Sequence, residues 1–113
     1  MKRAAWGWIG AGAVAVGLGS GAALLAFAEE LIVGQKDKVF SVQTITVKKG
    51  DSIVFVNDDS VSHNVFSRSE GNKFNLKMQK PGERKSVVFE AAGTASVRCA
   101  IHPSMQLEVV VEE

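Results

Sequence analysis

The 113-residue chain has one cysteine, two histidines, two prolines and no tyrosine. A single cysteine cannot close a disulfide within the chain, and it cannot supply the Cys-x-x-Cys-His that attaches haem c. One cysteine and two histidines also fall short of the four Cys or His ligands that a structural zinc normally takes. Charge of one sign is not in excess. Lys and Arg number 13 against 12 for Asp and Glu, which leaves no electrostatic case for nucleic-acid binding. The glycine-rich stretch Gly10 to Gly21 has no Lys-Ser/Thr ending and no strand before it, so it is not a phosphate loop. Beyond residue 28, no ten-residue stretch carries a helical period, and there is no internal repeat.

The N-terminus has a composition of its own. Lys2 and Arg3 precede an uncharged run of 25 residues, Ala4 to Ala28, which ends in Ala26-Phe27-Ala28 and is followed by Glu29-Glu30. A short positive region, an apolar stretch and small residues at the cleavage positions describe a secretory signal, cut after Ala28. The alternative is an uncleaved anchor, since ~20 apolar residues span a bilayer. Six glycines in the run and the Ala-x-Ala ending favour cleavage. There is no Arg-Arg pair, so a twin-arginine signal is not indicated. Cleavage leaves 113 − 28 = 85 residues, 29–113, a single domain near the small end for a self-sufficient core. Its net charge is close to −1, because Lys2 and Arg3 leave with the signal. In an oxidising compartment a bare thiol is a liability unless it is buried or bound to a metal.

The mature sequence reads as strands. "KVFSVQTITV" (38–47) is rich in β-branched and aromatic residues, with a change of parity near Gln43-Thr44 that suggests a bulge or bend. "SIVFVN" (52–57) follows the turn signal Lys49-Gly50-Asp51, and "HNVFS" (63–67) follows Asp58-Asp59-Ser60. "SVVFE" (86–90), "ASVRC" (95–99) and "QLEVVVE" (106–112) complete the set, the last with Leu107, Val109 and Val111 inward. Residues 29–37 read as a mobile lead-in or an edge strand. Short strands at turn-marked intervals predict an all-β sandwich.

The chemistry concentrates in "SVRCAIHPSMQLEVVV" (96–111). Cys99 shares the inward parity of Val97. His102 lies three residues on, and Met105 three further, on the connection to the final strand. His63 stands far upstream, at the start of a strand. In a sandwich those two strand ends can meet at one pole. Singly, each residue has a bland reading: a small buried hydrophobe, a satisfied imidazole, a core thioether. Together they form a set in which a soft thiolate, two imidazoles and a weak thioether point to electron-transfer copper.

On these motifs the chain resembles the cupredoxins, the small blue-copper family, and within it the amicyanin, pseudoazurin and plastocyanin-like branch. "CAIHPSM" keeps that branch's spacing between Cys, His and Met, including Pro103. "SIVFVNDDSVSHNVF" resembles the family's strand, acidic turn and His-Asn, and "FEAAGTASVRC" its turn before the cysteine strand. The resemblance spans Val39 to Val111. It implies a Greek-key β-sandwich holding one type 1 copper ion that cycles between Cu(I) and Cu(II). His63, Cys99 and His102 would be the equatorial ligands and Met105 the axial one, with Asn64 beside the thiolate in the second shell, tying the two ligand segments together.

The implied function is transfer of single electrons by an exported, periplasmic monomer with no catalysis of its own. Its partners would be transient redox proteins (a cytochrome, dehydrogenase or oxidase), docking where Ile101 and Pro103 flank the exposed edge of His102. A membrane would be involved only if the N-terminal segment is retained. The basic stretch Lys73 to Lys85 is either a steering surface for an acidic partner or an ordinary solvated strand and loop face. The competing role with the same ligands is copper storage, delivery or resistance. A Cys-His nucleophilic enzyme fits poorly, because nothing marks an oxyanion hole or a substrate cleft. A metal-free adhesion or scaffold sandwich is the remaining reading. The chain departs from the branch's habit at Ser62, Ser104, Val97 and Arg98, and in having no tyrosine.

Intact-mass measurement of the exported protein is expected to give a chain that begins at Glu29; a mass that retains residues 1–28 would favour the anchor.

Overall fold

The computed structural model describes residues 30–113; residues 1–28, expected to be a signal segment, and Glu29 lie outside the described residues. Alternating apolar and polar residues build nine strands among the described residues, and no helix: β1 (Glu30–Lys36), β2 (Val39–Phe40), β3 (Thr44–Lys48), β4 (Ser52–Asn57), β5 (His63–Ser67), β6 (Phe74–Gln79), β7 (Arg84–Val88), β8 (Gly93–Cys99) and β9 (Gln106–Glu112). They form a four-stranded sheet in the order β2-β1-β4-β7 and a five-stranded sheet in the order β3-β9-β8-β5-β6. The pairs β1·β4 and β3·β9 are parallel, the others antiparallel. Residues of even spacing point between the sheets: Ile53 and Phe55 from β4, Ala95, Val97 and Cys99 from β8, and Leu107, Val109 and Val111 from β9 are all buried. The result is the expected all-β, cupredoxin-like sandwich.

Phenylalanines bridge the layers. Phe40 meets Phe55 edge-on at 6.3 Å between ring centroids, Phe55 meets Phe74 at 6.1 Å, and Phe74 meets Phe89 edge-on at 5.8 Å. These spacings are in the attractive range for aromatic pairs. Phe55 is fully buried at the middle of this row.

The structure sharpens three local readings. Residues 30–36 are not a mobile lead-in: β1 pairs with β4 over Glu30 to Gln35 and with the two-residue β2 only at Gln35 and Lys36, so most of it is an edge strand, with Val33 and Gln35 fully buried. Its inward row reads Leu31, Val33, Gln35, and the polar third member hid the pattern. The segment 38–47 is two strands rather than one bent strand. The change of parity at Gln43-Thr44 marks the crossing from one sheet to the other, and Ser41 anchors the exit by accepting the Gly34 amide on its Oγ at 3.0 Å. Finally, Lys73 to Lys85 contains a strand, β6, whose alternation is broken. Phe74 and Leu76 are half-buried, yet Met78 is exposed and Gln79 buried. Lys77 has φ 61°, and the β5–β6 register slips between Asn64 and Phe66. One extra residue in left-handed conformation flips the remainder of the strand to the other face.

Phe55→Ala removes the ring on which Phe40 and Phe74 both pack. It is expected to lower unfolding stability by about 3–5 kcal/mol, read from urea denaturation monitored by far-ultraviolet circular dichroism.

Candidate metal centre

β5 and β8 pair antiparallel, with Val65 opposite Cys99 and Ser67 opposite Val97. The start of β5 therefore lies beside the end of β8, which brings His63 next to Cys99 although 36 residues separate them in sequence. After Cys99 the chain makes a tight turn. The Met105 amide donates to the His102 carbonyl at 2.9 Å, with Pro103 at the second position, where its fixed φ suits such a turn. That turn folds His102 back toward β5. The donor atoms of His63, Cys99 and His102 all lie within 4.8 Å of one another. His63 Nδ1 is 2.9 Å from His102 Nδ1, and Cys99 Sγ is 3.8 Å from His102 Nδ1. The two rings meet edge to face, with centroids 4.8 Å apart. His63 and Cys99 are buried and His102 is half-buried. Met105 is fully buried within the hydrophobic core.

The surroundings hold these side chains in place. The Asn64 backbone amide donates to Cys99 Sγ at 3.3 Å, a direct link between the two ligand-bearing segments. The Asn64 side chain turns the other way, to Asn75 Oδ1 at 2.9 Å and the Lys77 carbonyl at 3.0 Å, and so ties the site to the bulge of β6. Residues 58–62, which lead into His63, are fixed by Asn57. This fully buried side chain donates to the carbonyls of Val61 and Gln79 at 2.9 and 2.8 Å, and its Oδ1 accepts the Asp59 amide at 2.9 Å. Asp59 Oδ2 in turn lies 2.9 Å from His63 Nε2. The sequence marked "NDDS" only as a turn. Asn and Asp are common turn residues because they bond nearby backbone, and nothing in the spacing distinguishes a carboxylate that also reaches an imidazole four residues on.

Electrostatics follow from these partners. The Lys38 backbone N–H, then the His63 ring, hold the Asp59 carboxyl down at about 2. Burial, then the charge of His63, then that of Lys38, push His102 below the usual histidine range. A neutral imidazole is the form that offers a lone pair to a metal.

Donor atoms that share one ion at about 2.0–2.3 Å lie on the order of 3–4 Å apart. The sulfur of Cys99 and Nδ1 of His102 already have that spacing. The two imidazole nitrogens stand closer, at 2.9 Å, and all three donors lie within 4.8 Å of one another, so that small side-chain shifts would let them share an ion. Thiolate with two imidazoles is a donor set that copper favours. The residues present therefore fit a copper ion.

Comparison with known proteins agrees. The profile of the copper binding proteins, plastocyanin/azurin family, matches residues 28–112. The methylamine utilization protein MauL of Methylorubrum extorquens is 38% identical over 65 residues, covering 57% of this chain and 57% of MauL. Amicyanin of Paracoccus denitrificans is 34% identical over 76 residues, covering 65% of this chain and 58% of that protein. The matches thus span less than two-thirds of the length of these two relatives. Among solved structures, a reduced amicyanin variant superposes with a TM-score of 0.66 at 30% identity, covering 78% of this chain and 86% of that one. A purple cupredoxin from Nitrosopumilus maritimus gives 0.62 at 26% identity, covering 74% and 99%. A sandwich that seats a thiolate beside two imidazoles, matched over nearly all its described length by one family profile, places this chain in the plastocyanin/azurin family of copper-binding proteins, with a single copper ion as its cofactor.

Proposed function

We propose that this chain carries single electrons between redox proteins outside the cytoplasm, with copper that His63, Cys99 and His102 would hold and to which Met105 would be a weaker fourth donor. The observation that carries the reading is the convergence of three donors from two distant segments onto one end of a two-sheet framework. Copper bound there supplies one-electron chemistry between Cu(I) and Cu(II). The chain's own part is to hold the donors still. Cys99 is fixed by its place at the end of β8 and by the Asn64 amide, and His63 by full burial and Asp59. The tight turn that bears His102 is closed by its own backbone bond to Met105. A framework that moves little between oxidation states favours cycling in place over release of metal, which supports a carrier over a storage or delivery protein.

His102 is half-buried, the least enclosed of the three donors, and is the route by which electrons leave. Beside it Ile101 is 49% exposed and Pro103 is exposed. They form a small apolar rim suited to the brief, small-area encounters of redox partners. The protein acts as a monomer with no substrate reaction of its own. Residues 1–28 direct its export to the periplasm, and residues 29–113 are the copper domain.

Adding Cu(II) to the mature protein is expected to produce an intense blue thiolate-to-copper absorption band. Cys99→Ser should abolish the band. Met105→Leu should still bind copper but raise the reduction potential, because loss of a donor disfavours the more highly charged ion. A wild-type protein that stays colourless with copper would refute the reading.

A further inference from the structure

Asp59 precedes β5 by a few residues, yet its carboxylate sits within a closed set of bonds. Oδ2 lies 2.9 Å from His63 Nε2 and accepts from the Lys38 amide at 3.0 Å, Oδ1 accepts from the Ser60 amide at 2.9 Å, and the Asp59 amide is bound by Asn57. The side chain is only 11% exposed and that of His63 is not exposed at all. The Lys38 peptide that donates to Asp59 belongs to an unusual turn. Asp37 and Lys38, which join β1 to β2, have φ of 55° and 61°, and each non-glycine residue in this region costs on the order of 1–3 kcal/mol. The surroundings secure that turn from both sides, since the Lys38 carbonyl also accepts from Ser104 Oγ, on the turn that bears His102, at 3.1 Å. The backbone of one residue thus touches the partner of one histidine and the loop of the other.

Resting on the copper reading above, we propose that Asp59 is a positioning residue of the metal site, fixing His63 with its proton on Nε2 and its bare Nδ1 turned toward Cys99 and His102. The chemistry follows from the inventory of donors. An ionised carboxylate can only accept, so the ring nitrogen that faces it must be the one that carries hydrogen. In the copper-free protein the bare Nδ1 of His63 then accepts from Nδ1–H of His102 across 2.9 Å, and the two rings hold opposite tautomers. A histidine whose far N–H is bonded to a carboxylate is a stronger ligand, and the gain is larger for Cu(II) than for Cu(I) because Cu(II) is the more highly charged ion.

The wild-type protein tests this without any substitution. Long-range ¹H–¹⁵N NMR of the copper-free form, at a pH of about 8.5 where ordinary imidazoles are neutral, should find the His63 proton on Nε2 and the His102 proton on Nδ1. A His63 proton on Nδ1 would overturn the proposal. Asp59→Asn keeps the size and an accepting oxygen but removes the charge. It should weaken Cu(II) relative to Cu(I) about tenfold, a rise of about 59 mV for a one-electron couple. A purely structural Asp59 would leave the potential of this variant where it is in the wild type, and that result also overturns the proposal. If the variant does not fold, the wild-type tautomers decide. A wild-type protein that fails to turn blue removes the copper reading and this inference with it, whereas a blue wild type with an unmoved potential in the variant removes this inference alone.

Discussion

The alignment of β5 against β8 is the constraint from which the metal site follows. Val65 faces Cys99, so the buried thiol and the buried imidazole occupy adjacent strand ends on the inside of the same sheet. Side chains alternate with a period of two, and a slip of one residue would turn every member of β5 to the opposite face. His63 would then leave the core and Asn64 would lose its place beside the sulfur. The register is protected by what surrounds it. Val65 and Val97 are fully buried, and the Asn64 amide reaches across the strand pair to Cys99 Sγ. The packing of the sandwich and the geometry of the donors are therefore one fact seen from two sides.

The same end of the molecule carries a buried polar scaffold where a simpler sandwich would place hydrocarbons. Gln35 Nε2 donates to Gln79 Oε1 at 3.0 Å, and Gln79 Nε2 donates to the carbonyls of Phe55 and Glu83 at 2.7 and 2.9 Å. Asn57 joins this group through the Gln79 carbonyl. Gln79 stands opposite His63 across the β5–β6 pair. Polar groups cost free energy to bury unless they are bonded, but bonded ones fix direction in a way apolar contacts do not. Here they fasten the loop from β4 to β5, the loop that must deliver His63, to the facing sheet. Stability from the phenylalanine row and direction from the amide network divide the work between them.

Charge on the flank of β6 and β7 is more local than its density in the sequence suggests. Lys85 Nζ is spent on the Leu76 carbonyl at 2.8 Å. Lys73 faces Glu70 at 3.9 Å with both side chains largely exposed, an arrangement that contributes little to stability. Lys77 owes its prominence to the bulge. The stretch therefore serves first as an edge of the sheet, with the lysine that looks most available partly committed to backbone.

Much of the architecture was legible before any coordinates. Strict alternation in 106–112 and 95–99, and the apolar run 52–57, placed β9, the inner part of β8 and β4, because burial on one face imposes a period of two that survives in the residues themselves. The cluster of His63, Cys99 and His102 was legible as a conjunction: the lone cysteine and both histidines fall at strand ends that a sandwich can bring to one pole. Other features had no such trace. β1 is ordered against the core although Gln35 is polar, because its buried amide finds Gln79 across the core, and a polar residue at an inward position defeats alternation. β6 was obscured by the left-handed Lys77, which shifts parity by one. Asp59 read as turn chemistry, since a carboxylate in a turn looks the same whether it faces water or an imidazole. Composition and period settle which apolar residues are buried where the alternation is unbroken; which buried or half-buried polar atoms meet is decided by long-range closure of the two sheets, and that is where His63 acquires its partners.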